Sequence, residues 1–427
     1  MRSWLILGMG IAVYAAAIAH RTSLGVAAPQ AAEQFGTTAS VIALFVVLQV
    51  GVYAFMQVPA GVLVDRFGSR RLLTAGAAVM AAGQLLLAMS DSVPLAVVAR
   101  MITGAADAAC FISALRLIPS WFPAKRIPLL TQVTGSVGQF GQVISAVPFV
   151  WVLHTFGWSR AFLSLAVGGL VVAVAAFLII RDSPQGQVRR DTQIAERFFS
   201  QLVQVVREPG TRLGMFEHAL SCFGALAFAL MWGFPYLMEG EGLSPAAAGA
   251  LFTVMVIGSI IAAPIIGQLT RRHPMRRSTL AMIVSMAGIV PWLVIFVWPG
   301  PAPMWLLVVL VLGLSVAGPG SGIGLDHGRT FNPPHRMGTA SGLVVMAGFT
   351  FVLIAVLFIG VALDLATGGQ PPTLGDYRIA MAAQIPLWLF CWIMLLVSRQ
   401  QTRRAHSMTI PSWGEVWRRE RDRRRGL

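Results

Sequence analysis

Apolar stretches of about 20 residues recur along the whole 427-residue chain, each long enough to cross a hydrocarbon core roughly 30 Å thick as a helix. Inside such a core every backbone polar group must be satisfied within the segment, so the chain is predicted to be an all-α, multi-pass membrane protein. Breaks at charged and Pro/Gly clusters place twelve spans near 4–28, 39–62, 72–90, 93–117, 128–153 and 159–180, then 213–237, 245–268, 278–297, 303–325, 337–362 and 378–398. A charged fraction of 11%, against about a quarter in soluble domains, excludes an ordinary soluble enzyme. No nucleophile with a base, paired catalytic carboxylates or metal-ligand spacing is legible, so neither catalysis nor a cofactor is expected. Cys110, Cys222 and Cys391 lie in separate apolar stretches, as small core residues do. The start, Met1-Arg2-Ser3 followed by an apolar run to Ala28, reads as an uncleaved first span.

The spans fall into two sets of six. Residues 1–180 are expected to form one bundle and 213–398 the other, joined by a polar cytoplasmic linker at 181–212 and followed by a basic tail at 399–427. Within the linker Ile194, Phe198, Leu202 and Val206 share one helical face, which predicts a short helix at the membrane surface. An internal repeat supports the division, because residues 36–71 align without a gap onto 242–277. Gly36 meets Gly242, Gly61 meets Gly267, Arg66 meets Arg272, and Arg70-Arg71 meet Arg276-Arg277.

Charge sets the expected orientation. Of the 32 Lys and Arg residues, 27 lie in the even-numbered loops, the linker and the two ends, while the odd-numbered loops hold only Arg160 and Arg378. Short cytoplasmic loops keep the positive excess, so both termini are expected in the cytoplasm and the net charge of +15 is expected to face anionic lipid headgroups. Nucleic acid is not an expected partner, since the tail carries nine Arg with only Trp413 and Trp417 among them. With 31 Arg against the single Lys125, the composition points to a GC-rich bacterial genome and hence to a cytoplasmic (inner) membrane. The chain is expected to act as a monomer.

The loop after the second span, Gly61-Val62-Leu63-Val64-Asp65-Arg66-Phe67-Gly68-Ser69-Arg70-Arg71, resembles the signature G-x-x-x-D-R-x-G-x-[RK]-[RK] of the major facilitator superfamily. In the second half Arg271 stands for the acid and Pro274 for the second glycine, so a matching latch there is expected to be weaker or absent. Arg100-x-x-x-Gly104 resembles the superfamily's fourth-helix motif, and Gly157-Trp158-Ser159-Arg160-Ala161-Phe162 its fifth-to-sixth loop. Three segments resemble the anion:cation symporter branch: Arg21 to Pro29, Trp121-Phe122-Pro123, and Trp232-Gly233-Phe234-Pro235-Tyr236-Leu237. An acid normally precedes the first-span arginine in that branch, and His20 stands there instead. The resemblance implies twelve transmembrane helices in two pseudo-symmetric six-helix bundles, the major facilitator fold. It further implies alternating-access transport of a small organic or inorganic anion with a proton, or with sodium. The fifth span lacks the Gly-Pro pair of many antiporters, which leans towards uptake. Gating residues carried over by the motif are Gly61, Asp65, Arg66, Gly68 and Arg70, with Arg116 able to reach the same loop.

A charge at membrane depth costs at least about 2.5–3.5 kcal/mol, so each one needs a partner or a water-filled cavity. Arg21 and Arg100 can reach similar depth and would hold an anion through paired hydrogen bonds; alternatively, each bonds a helix carbonyl or an acid for packing alone. Asp107 lies two turns beyond Arg100 on the same face, where burial favours the neutral acid and a guanidinium favours the carboxylate, so it is the candidate proton-coupling residue. A plain salt bridge is the other reading of Asp107. Gln139 with Gln142, and Trp232 with Tyr236, are spaced to complete a substrate cavity or to bond between helices. Glu217 is expected to pair near Arg212, His20 and His218 to pack uncharged, and Asp326, His327 and Arg329 to form a cytoplasmic cluster. Two rivals remain: a proton-linked exporter of drugs or metabolites, and a non-transporting receptor or scaffold acting through the tail.

Overall fold

The computed structural model describes residues 2–37, 39–183, 198–368 and 370–408, and every regular element among them is a helix. Eleven helices are long and apolar enough to span a membrane. In chain order they are the first span Arg2–Val26, second Ala39–Phe67, third Ser69–Ala88, fourth Val93–Trp121, sixth Trp158–Ile179, seventh Pro209–Gly240, eighth Pro245–Arg272, ninth Arg277–Val297, tenth Met304–Thr330, eleventh Met337–Thr367 and twelfth Leu374–Ala405. The predicted fifth span differs in being broken into Ile127–Gly138, Phe140–Ile144, a wide π turn at Ser145–Phe149 and Val150–Phe156. Pro148 sits inside that π turn, where a residue without an N–H is tolerated at the least loss of helix bonds.

The largest apolar core draws only on residues between Leu213 and Leu395, and two others draw only on residues between Ile6 and Ile180. Two smaller clusters join the sets, one through Tyr53, Val64 and Val344, the other through Val58, Val205 and Leu343. The surface-helix expectation is met by a helix at Phe198–Arg207, but its apolar face covers protein: Val205 is buried against Val58, Ala340 and Leu343. Ile194 lies outside the described residues, as do Trp413, Trp417 and Arg423 to Arg425 of the tail.

The sequence repeat has a structural counterpart. Gly36 and Gly242 both adopt positive φ, +57° and +72°, a conformation open to glycine without strain. Gly61 of the second span lies against the backbone of Gly338 and Thr339 in the eleventh, and Gly267 of the eighth lies against Leu129 in the fifth. A side chain at either glycine would hold these helices apart. The two crossings exchange the halves, second with eighth and eleventh with fifth, as a pseudo-two-fold axis requires.

Both crossings lie towards one face. Trp4 touches Phe122 there, with ring centroids 5.0 Å apart, and His406 reaches Glu208 at 2.9 Å, so the two described ends of the chain share this face with the Arg-rich loops. It is called the basic face below.

Candidate functional site

Asp107 is the midpoint of the fourth span, and its side chain is fully buried. Helical side chains lean towards the N-terminus of their own helix. The first and fourth spans run in opposite directions, so Arg21 leans back towards the basic face while Asp107 leans away from it, and the two meet. Arg21 Nε donates to Asp107 Oδ2 at 2.6 Å, and the guanidinium lies 4.3 Å from the centroid of the Tyr53 ring. The Arg21 side chain keeps 22% exposure against 0% for Asp107, so the cation is the member of the pair that a solute can reach. Arg21 Nη2 and Asp107 Oδ1 have no hydrogen-bond partner among the described residues.

Arg100 does not stand beside Arg21 as a second free cation. It is fully buried, and its two Nη groups donate to the carbonyls of His20 at 3.1 Å and Arg21 at 2.7 Å. Gln84 adds a third bond to the His20 carbonyl at 3.0 Å. The reason is local: the two prongs of the donor fork point at two successive carbonyls, while Nε has no partner among the described residues. Arg100 therefore fixes the backbone that carries Arg21. His20 packs against Gly169 of the sixth span, on the far side of the helix from Arg21.

The remaining cavity candidates separate. Gln142 donates to Gln139, and both are exposed on the broken fifth span. Trp232 donates Nε1 to the Val356 carbonyl at 3.0 Å, whereas Tyr236 is fully buried, bonds Glu241 and packs on Trp292. The pairing of Trp232 with Tyr236 over one cavity is thus corrected. In a stretch of the seventh span that widens into π turns at Phe228–Trp232 and Tyr236–Gly240, the two side chains turn to different neighbours, Trp232 to the eleventh span and Tyr236 to the ninth.

Sequence reading passed over Tyr53 and its neighbours. Gln49, Tyr53 and Gln57 follow one another at intervals of four on the second span, all buried, and Tyr53 meets Phe349 of the eleventh span with centroids 4.9 Å apart. Their spacing in an otherwise apolar helix was the available signal. A separate polar recess lies wholly in the C-terminal half, where Ser221 and Ser285 hydroxyls stand 3.2 Å apart beside Trp292 and Trp388.

The motif residues assemble at the second crossing. Asp65 is buried and accepts from Gly338 N at 3.0 Å, Thr339 N at 2.9 Å, Thr339 Oγ1 at 3.1 Å and the Arg116 guanidinium, which also donates to the Pro334 carbonyl at 3.2 Å. Gly68 turns the chain at φ +83°, and Arg70 donates its backbone N–H to Asp182 at 2.9 Å. Arg66 instead lies over Phe67 at 5.0 Å. At the pseudo-equivalent crossing Arg271 stands at the position of the acid, Gln132 donates to the Pro319 carbonyl at 2.6 Å and Arg329 to Thr131 at 3.1 Å.

Glu217 departs from expectation. It is fully buried and bonds His327 Nδ1 at 2.6 Å, while Arg212 turns to the Arg207 carbonyl at 3.4 Å. Its carboxylate sits two turns inside the seventh span, where the tenth span brings His327 to it.

Comparison with known proteins agrees with this architecture. Over 301 residues the chain is 25% identical to a probable sulfoacetate transporter, SauU, of Cupriavidus necator, covering 66% of this chain and 70% of that protein. It is 24% identical over 265 residues to a probable galactarate/D-glucarate transporter, GudP, of Escherichia coli strain K12, covering 56% of this chain and 59%, less than two thirds, of the relative. The solved structure of the major facilitator superfamily proton:xylose symporter XylE, bound to 6-bromo-6-deoxy-D-glucose, superposes with a TM-score of 0.69 at 15% identity, covering 92% of this chain and 96% of that one, which speaks for the fold alone. The family model of the Major Facilitator Superfamily matches residues 9–356, and the chain is a member of that superfamily of membrane transporters.

Proposed function

We propose that the protein moves a small organic anion, of the carboxylate or sulfonate kind, across the bacterial cytoplasmic membrane together with a proton. The observation that carries this reading is the mid-depth pair of a reachable Arg21 and a sealed Asp107. An anion that binds Arg21 competes with Asp107 for the same cation. Once Arg21 turns to the substrate, a bare carboxylate would remain buried without its partner, at a penalty of several kcal/mol. Taking up a proton removes that penalty, so anion binding and protonation of Asp107 favour each other. Tyr53 supplies a face that keeps the guanidinium oriented, and Arg100 holds the backbone beneath it. The names of the sulfoacetate and galactarate/D-glucarate relatives support an anionic substrate.

With the basic face in the cytoplasm, closure through Asp65, Arg116 and Arg329 corresponds to an outward-open state. Residues 1–180 and 213–398 would rock about the Arg21 site, with 181–212 as the tether.

The test is uptake by proteoliposomes of a mixed panel of carboxylates, sulfonates, nitrate and phosphate, with and without an inward proton gradient, read by mass spectrometry. Gradient-dependent accumulation of one anion, lost in Arg21→Ala, is expected. Absence of anion uptake by folded protein, with efflux of hydrophobic compounds from everted vesicles, would overturn the reading in favour of an exporter.

A further inference from the structure

The C-terminal half contains a second buried pair that the Arg21 site does not use. Glu217 of the seventh span and His327 of the tenth meet at 2.6 Å, with side-chain exposures of 0% and 8%. The contact is built into the helix crossing. Gly214 lies against the Gly324 carbonyl and the Gly328 N–H, so the two backbones touch one turn from the pair and leave it little room to separate. Glu217 Oε1 has no hydrogen-bond partner among the described residues, which leaves the carboxylate dependent on the imidazole. His327 lies in the last turn of its span, and Phe331 one turn later stacks parallel to it and touches His406 at the basic face.

Arginine is a fixed cation, whereas histidine is the side chain whose class can gain or lose a proton in the physiological range, so the two buried pairs differ in kind. We infer that Glu217 and His327 form a second proton-binding site, reached from the basic face, whose occupancy sets how readily that face opens. The charged groups around it define the sign. Asp326 lies within electrostatic reach of Glu217, His327, Arg329 and Arg277, and Arg399 within reach of Glu217. His218, the next residue on the seventh span, turns to the Ser321 carbonyl at 2.9 Å, and Glu208 with His406 closes the rim. The eleventh span's acid, Asp364, lies at its opposite end. Three acids, Glu217, Asp326 and Glu208, therefore face the three arginines, and a proton on the pair tips that balance to the positive side. The same helix that carries His327 carries Arg329, whose bonds to Thr131 at 3.1 Å and Ser341 at 3.3 Å hold the fifth and eleventh spans together at the basic face. Added positive charge beside Arg329, Arg277 and Arg399 weakens that closure, so acid at the basic face favours opening.

The experiment needs no substrate, so it succeeds or fails independently of the anion reading. Spin labels on K125C and R272C, in a background where the three cysteines are replaced by alanine, report the separation of the fifth and eighth spans at the basic face. Between about pH 8 and about pH 6 the open population is expected to rise by about threefold or more in the parent and equally in D107N. E217Q and H327Q are expected to abolish the response. E217D, which keeps the carboxylate, is expected to retain it and guards against a folding defect in E217Q. H327K, with a fixed charge, is expected to stay open at both pH values. A response absent from the parent, or one that persists in E217Q and H327Q, overturns the proposal.

Discussion

The two halves share a backbone plan and divide the chemistry between them. In the N-terminal half a cation and an acid meet at the middle of the membrane, with Arg100 sealed behind them. In the C-terminal half the ionisable groups keep to the ends: Glu217, His327, Asp326 and Arg329 towards the basic face, Glu239, Glu241 and Arg378 towards the other. Its middle is aromatic and neutral, with Trp292, Ser285 and Trp388. A duplicated fold thus sets a buried ion pair at mid-depth in one half opposite an aromatic, uncharged recess in the other.

The largest expected effect falls on the charged half. Arg21→Ala leaves Asp107 without its cation and the anion without its ligand, so affinity should fall by 100-fold or more, about 3 kcal/mol or above, in a binding titration. Ser285, by contrast, is the reference in the neutral half, and Ser285→Ala should leave affinity within about threefold. Asp107→Asn comes next. It should reduce proton-driven accumulation to equilibration while counterflow of labelled substrate persists, and full accumulation by this variant would remove Asp107 from the coupling step.

The two crossings at the basic face provide a contrast of intermediate size. Asp65→Ala removes an acceptor shared by two backbone N–H groups, a hydroxyl and Arg116, and should shift the basic face towards opening by about 2–4 kcal/mol, read by the same spin-label distance. Arg271→Ala, at the pseudo-equivalent position, should move it by less than about 0.5 kcal/mol. Arg100→Lys replaces a two-pronged donor by a point charge, and a loss of about 1–2 kcal/mol in thermal unfolding is expected with substrate affinity falling only as Arg21 loosens. The smallest effect is Tyr53→Leu, which removes a ring face worth about 1 kcal/mol and should weaken binding by about fivefold.

Much of this was legible in the chain. Apolar runs located the spans, the Gly61 to Arg71 motif located the basic-face contact, and the register of the repeat aligned Gly36 with Gly242, whose shared positive φ the structure adds. The close fit of Arg116 with Asp65 followed from their shared end of the bundle. Other residues were misjudged for identifiable reasons. Glu217 was assigned to Arg212 because both lie near the start of one helix, yet its true partner is 110 residues away on the tenth span. Spacing by four groups Tyr236 with Trp232, but the partners that decide their roles, Trp292 and Glu241 for one and the Val356 carbonyl for the other, come from other helices or beyond the turn. Gln49, Tyr53 and Gln57 drew no notice because uncharged polar residues in an apolar helix cost too little to demand a partner by themselves.

Sequence alone determined that this chain lies in a membrane, where most of its spans fall, and which few charges had to be explained, because the hydrocarbon core penalises polarity residue by residue and leaves that record along the chain. Tertiary structure alone decided that Arg21 takes Asp107 while Arg100 takes two carbonyls, and that Glu217 takes His327. Those choices depend on which helix faces which and at what depth, and a guanidinium or carboxylate satisfies its hydrogen bonds with whatever the neighbouring helix brings within about 3 Å.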